Sequence, residues 1–199
     1  MLDTTAETKP DRRPAIVICA YEVDDDGWDP IEDLSGQPWS PTGARTIAVA
    51  AADPDDLAET LARHLSDADC RAMLLVGRNR RSDLFRVQMR AEHRAAASHS
   101  ASSTQAPSIA RATAPVGEIV RALNEAGLNA DATSEGEEDV GSYLLYRVLN
   151  ALPEGVDVAS VGLLRVPEDS GPDIVGRGVK VAAGAIARHL SPLPRARHA

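Results

Sequence analysis

Thiols and imidazoles are few in this chain, two cysteines and five histidines. In the stretch Glu138 to Asn150, EDVGSYLLYRVLN, the apolar residues Val140, Tyr143, Leu144, Tyr146, Val148 and Leu149 recur at helical spacing behind a short polar run, so a helix starts here from a loop. A helix start aims backbone N–H groups and the positive end of the dipole at whatever sits there, which favours anions and lowers a thiol's pKa. The first turns nevertheless hold leucines where a nucleophile would be useful. The two cysteines, Cys19 and Cys70, lie elsewhere and form no CxxC pair, so neither a disulfide framework nor structural zinc is indicated. His93 and His99 have no helical or strand spacing for a shared metal, and His64 falls in the last turn of a helix, where contact with the dipole accounts for it. Glu22, Asp24, Asp25 and Asp26 cluster in a loop and could hold a hard cation, although an acidic loop run is ordinarily just solvated. No cofactor is implied.

An alternating series of strands and helices must position these residues. Ala15 to Ala20, AIVICA, is a β-branched apolar run suited to a strand buried on both faces, and Arg45 to Ala51 and Ala72 to Gly77 follow as further strands. Between the first two lies a long Asp-, Gly- and Pro-rich loop carrying Trp28 and Trp39, which are either aromatics over a ligand or anchors that pin the loop to the core. Asp53 and Pro54 read as N-cap and first helical position, opening a helix with Leu57, Leu61 and Leu65 on one face. In Asp83 to Arg90, Leu84, Arg86, Gln88 and Arg90 alternate with Phe85, Val87 and Met89, which predicts a strand with one wetter face. Residues 94 to 114 have little bulk to bury and are expected as a mobile excursion. A helix from Pro115 stopped by Gly127, a short strand from Leu128 to Thr133, the helix described above, a strand ending at Pro167 and a helix from Ile174 to Leu190 complete the order. This order implies a three-layer α/β/α sandwich.

The chain has 199 residues, 43% of them hydrophobic, which fits one domain over residues 14–190 with a flexible leader, 1–13, and a flexible tail, 191–199. A net charge of −9 argues against nucleic acid and anionic membrane as partners. No apolar run approaches the roughly 20 residues of a membrane span, and the N-terminus lacks the apolar core of a signal peptide, so a cytoplasmic protein is expected.

In register, these pieces resemble pyroglutamyl peptidase I, the pyrrolidone-carboxylate cysteine peptidase family. CAYEVDDDGWDP, Cys19 to Pro30, stands where the family has a GFEPFGG-like loop and an NP pair, and MLLVGRNRRSDLFRV keeps Gly77 and Arg86 of a family segment that ends in an ER pair. APSIARATAPVGEIVRAL, Ala106 to Leu123, is similar to a further family segment. GSYLLY keeps Gly141, Tyr143 and Leu144 of the nucleophile motif but has Leu145 at the cysteine, while GLLRVP has Arg165 at the histidine, before the matching Val166 and Pro167. Phe85 stands at the glutamate. The resemblance implies a mixed, largely parallel sheet and a protein that has lost its catalytic triad.

The family chemistry needs a thiolate nucleophile, an imidazole to carry the proton and a carboxylate to orient it. Leucine has no lone pair, arginine keeps its proton up to a pKa above about 12, and phenylalanine holds no tautomer. Losing one indispensable triad member costs on the order of 10⁶ in turnover. The expected function is therefore a non-catalytic homologue that binds a peptide, an anion or a protein, with Tyr21, Phe85, Arg86, Leu145 and Arg165 lining a vestigial cleft. A structural subunit that self-associates is a further reading. The alternative is a hydrolase of different chemistry on the same scaffold, using Cys19 or the acidic first loop; for Cys19 the competing reading is a small buried hydrophobe. Arg78, Arg80 and Arg81, with Arg86, Arg90 and Arg165, either make the cleft cationic or pair with surface carboxylates. A buried Arg165 needs a carboxylate or a bound anion, and Glu137, Glu138 and Asp139 are the candidate partners, unless they serve only as cap and dipole charges.

Overall fold

Strand β1 (Ala15–Ala20) lies between two parallel neighbours, β2 (Arg45–Val49) and β3 (Cys70–Asn79), and β3 pairs in parallel with β8 (Ser160–Pro167). The computed structural model describes residues 11–22, 39–92, 109–135, 139–152 and 159–190. Strand β4 (Phe85–Gln88) joins the far side of β8 antiparallel, and β7 (Ala130–Thr133) joins β4 in parallel. The result is a six-stranded mixed, mostly parallel sheet in the order β2-β1-β3-β8-β4-β7. It is the expected fold class, because β1, β3 and β8 are buried on both faces and so read as largely apolar runs, broken in β8 by Arg165.

Helices α1 (Pro54–Leu65) and α3 (Val140–Asn150) cover one face, where Leu57, Leu61, Leu144 and Leu145 meet Val17, Cys19, Met73, Leu75 and Leu163. Helices α2 (Val116–Glu125) and α4 (Pro172–Ala187) cover the other, where Ile119, Leu123, Val175 and Val179 meet Ile16, Ile18, Leu74, Leu164 and Val166. Each strand thus sends alternate side chains to opposite layers. The helix ends follow their local chemistry. Asp53 caps α1 by accepting from the Asp55 N–H at 3.0 Å, and Gly127, at φ 75°, lets the Leu128 N–H return to the Leu123 carbonyl at 2.9 Å beyond α2.

Two expectations need correction. The strand expected over residues 83–90 stops at Gln88, and the chain re-forms as β5 (Arg90–Glu92), antiparallel to β6 (Ile109–Arg111). Hence, of the stretch expected as an excursion, 94–108 fall outside the described residues, while residues 109–111 are strand and 112–114 lead from it into α2. The small residues there have a packing role: Thr113 Oγ1 donates to the Ala159 carbonyl and accepts from the Val161 N–H, and Ala114 lies so close to Gly162 that a Cβ at that glycine would stand 2.8 Å from its methyl. The expected wetter face of β4 holds at Arg86, which is partly exposed while Phe85 and Val87 are buried, but not beyond it. Gln88 has no exposed surface, whereas Met89, from the apolar set, is 40% exposed. No helix among the described residues is long and apolar enough to cross a membrane.

The α4 layer rests on Phe85, and a Cβ at Gly178 would stand 2.3 Å from its ring. Gly178→Ala should cost roughly 1–3 kcal/mol through overpacking. Gly184→Ala, in the same helix and facing open space, should gain about 0.5–1 kcal/mol. Urea melts of the two variants check the contrast, and equal effects would discredit this packing account.

Candidate functional site

Alternation along β8 puts Leu164 and Val166 in the α2/α4 layer and Leu163 and Arg165 beneath α3. Arg165 has no exposed surface. A charge there survives only if its hydrogens are all directed at acceptors, and the first turn of α3 supplies most of them. Asp139, the N-cap, receives Nη1 on Oδ2 at 2.5 Å and Nη2 on Oδ1 at 2.9 Å, a two-pronged pairing that matches the planar fork of a guanidinium. Nε donates to Gln88 Oε1 at 3.0 Å, and Nη2 donates also to Ser142 Oγ at 3.1 Å. Gln88 Nε2 in turn donates to Ser142 Oγ at 3.1 Å and to the Arg90 carbonyl at 2.8 Å. Asp139 Oδ1 also accepts the Ser142 N–H at 2.9 Å, so one carboxylate caps α3 and neutralises the sheet. Burial pushes the Asp139 carboxyl upward, but the hydrogen bonds and charge of Arg165, with the Ser142 N–H, outweigh it and hold the group below its ordinary value.

Of the three candidate partners of Arg165, Asp139 is the one engaged; Glu137 and Glu138 lie outside the described residues. Leu145, on the same helix, is fully buried in the α1/α3 layer. Tyr21 belongs to that layer too, at 6% exposure, and its ring end fills the gap between the end of β3 and the start of α3. A Cβ at Gly77 would stand 1.9 Å from the Tyr21 hydroxyl oxygen and one at Gly141 2.1 Å, so both positions require glycine. Arg86 is the cross-strand partner of Arg165 and pairs with Asp131 at 3.2 Å and Glu135 at 4.0 Å.

Phe85 does not join this group. It packs against Gly178 in the α2/α4 layer, on the opposite side of the sheet from Leu145 and Arg165. The convergence of Phe85, Leu145 and Arg165 in one cleft is therefore corrected: successive β4 residues point to opposite faces, and the side chain meeting Arg165 is Gln88. The sequence reasoning missed Gln88 and Ser142, although the parity of Gln88 with Arg86 was a usable signal.

Of the other arginines of the cluster, Arg78, Arg80 and Arg90 have partners, while Arg81 donates its backbone N–H to Asn79 Oδ1 at 3.1 Å. The Arg78 N–H donates to Glu22 Oε2 at 2.7 Å and its Nη1 to the Ser170 carbonyl at 3.2 Å, Arg80 stands 3.7 Å from Glu168, and Arg90 bonds the Ser134 carbonyl and Glu92. Cys19 is fully buried, and burial pushes its thiol up to about 12; Cys70, at the opposite end of the strands, is pushed to about 11. His64 is in the last turn of α1, as expected. Trp39 packs against the α2/α4 layer with the Lys180 ammonium 5.9 Å from its ring, which makes it a loop anchor on the far side from Arg165. Trp28, Asp24, Asp25, Asp26, His93 and His99 lie outside the described residues. Among the described residues no group of three His, Cys, Asp or Glu side chains could hold a metal ion.

The ion pair has a pH signature. With the Asp139 carboxyl depressed in the folded state, the stabilisation is fully present above the ordinary carboxylate value, near ~4, and is lost as pH falls through the folded value. Asp139→Ala should cost about 3–5 kcal/mol at neutral pH, because it strands a buried guanidinium. Asp139→Asn should also destabilise the protein at neutral pH, and its deficit should shrink below about pH 4. Denaturant melts across pH check this; a deficit that stays constant into acid would mean that the pair is not its source.

No family model and no curated protein matches the sequence. Solved structures do. A pyrrolidone carboxyl peptidase from Thermus thermophilus matches with a TM-score of 0.67 at 18% identity, over 86% of this chain and 99% of that one. Pyroglutamyl peptidase I from Bacillus amyloliquefaciens gives 0.68 at 14%, over 89% and 96%, and a mutant pyrrolidone carboxyl peptidase from Pyrococcus furiosus gives 0.70 at 16%, over 89% and 100%. Identity this low speaks for architecture alone: the chain has the fold of the pyroglutamyl peptidases.

Proposed function

We propose that this chain is a non-catalytic protein of the pyroglutamyl peptidase fold, acting as a binding or interaction module for a peptide, an anion or a protein partner. The observation that carries this reading is the bidentate commitment of Arg165 to Asp139 at the position where the resemblance places a proton-carrying histidine. A guanidinium held by a carboxylate neither accepts a proton nor returns one at neutral pH. At the nucleophile's position Leu145 contributes only volume to the core. A relocated nucleophile at Cys19 is disfavoured, because a thiol raised to about 12 is scarcely ionised at neutral pH. The same reading takes residues 14–190 as one domain of a cytoplasmic protein, with self-association open to measurement by light scattering.

Purified protein should release no chromophore from a chromogenic pyroglutamyl amide above the buffer rate. Turnover that disappears on Cys19→Ala would overturn the reading. Thermal melts against N-blocked peptides and a set of anions should show a saturable rise with one class, and a flat response to all of them would remove the binding half of the proposal.

A further inference from the structure

The cradle around Asp139 is built from the buried sheet and helix, while its occupant comes from the rim. Arg165 and Gln88 have no exposed surface and Ser142 has 6%, yet the Asp139 side chain that they hold is 29% exposed. The demand for negative charge also belongs to the sheet. In the antiparallel register of β4 with β8, Arg86 stands directly opposite Arg165, and such partners share a face. Arg86 has Asp131 and Glu135 for itself, which leaves Arg165 requiring an anion of its own. Without one, two adjacent guanidiniums would repel across the strands.

We propose that Arg165, Gln88 and Ser142 form a carboxylate-binding site that this chain closes in cis with Asp139, and that the carboxylate of a ligand takes the same fork when Asp139 leaves it. The class follows from the geometry: two guanidinium nitrogens each hold one oxygen of a planar group, a fit that a monatomic anion cannot reproduce. A peptide C-terminus or an acidic side chain meets that requirement. The tethered carboxylate competes at high effective concentration, so the closed form excludes weak free carboxylates. This inference names the ligand chemistry of the cleft in the binding-module reading and rests on that reading.

The test uses the full chain with formate and acetate as probes, and chloride at matched ionic strength. The melting temperature of Asp139→Ala should rise saturably with formate and acetate but not with chloride, while the native protein and the Asp139→Ala, Arg165→Met double variant should not respond. An equal response of Asp139→Ala in all three salts, or none, overturns the proposal. If Asp139→Ala does not fold, Asp139→Ser keeps a capping oxygen, leaves the fork open and is melted in the same salts with the same two outcomes. Failure of both to fold even in formate also overturns it. None of these melts reads turnover, so their failure leaves the non-catalytic reading standing, and an active native protein would leave the salt result unchanged.

Discussion

A guanidinium with no exposed surface sets the terms for everything around it. Removing such a charge from water costs several kcal/mol, recovered only when geometry and hydrogen bonding are both good. Arg165 meets that condition through the carboxylate of Asp139, the amide oxygen of Gln88 and the hydroxyl of Ser142. Each of these must therefore sit where it does. Gln88 has to be an inward residue of β4, which places Phe85 and Val87 in the opposite layer. Asp139 has to be the N-cap of α3, which ties the start of that helix to the end of β8. One polar cluster thus fastens the start of α3 to the paired strands β4 and β8.

The same cluster decides what this edge of the sheet presents. The C-terminal edge of a parallel sheet is where α/β folds usually expose ligands and reactive groups. Here the chain fills that edge with its own side chains. Tyr21 wedges between Gly77 and Gly141, Leu145 completes the core beside it, and Asp139 occupies the anion position. Gly77, within a strand, and Gly141, within a helix, make room for the approach of one aromatic ring. Of the arginines that in sequence suggest a cationic pocket, Arg78, Arg80, Arg86 and Arg90 are answered by carboxylates and carbonyls.

The two layers differ in how far they can be read from the chain. The apolar runs of β1, β3 and β8, the Asp53-Pro54 start of α1 and the Gly127 stop of α2 are legible because each depends on local periodicity or a single backbone conformation. Strand ends are less so: β3 extends two residues beyond its apolar run at each end, since Cys70 pairs with Ala15 of β1 and pairing with β8 continues to Asn79. The β5–β6 pair is hidden altogether, because each strand is only three residues long and its partner is distant in sequence. Alternation in β4 is legible, but which face is wet is not. That depends on α3, and on a buried arginine 77 positions from Gln88 that turns a polar side chain into an interior one.

Composition and spacing by themselves determine that this chain is a layered α/β protein, and that Arg165 needs a carboxylate if it is buried. They narrow the partner to three acids at one helix terminus. Only the tertiary structure decides that Arg165 is buried, that Asp139 is its partner, and that Gln88 rather than Phe85 stands beside it. The reason is physical: periodicity is a property of neighbouring residues, whereas desolvation of a charge is set by what the rest of the chain folds over it.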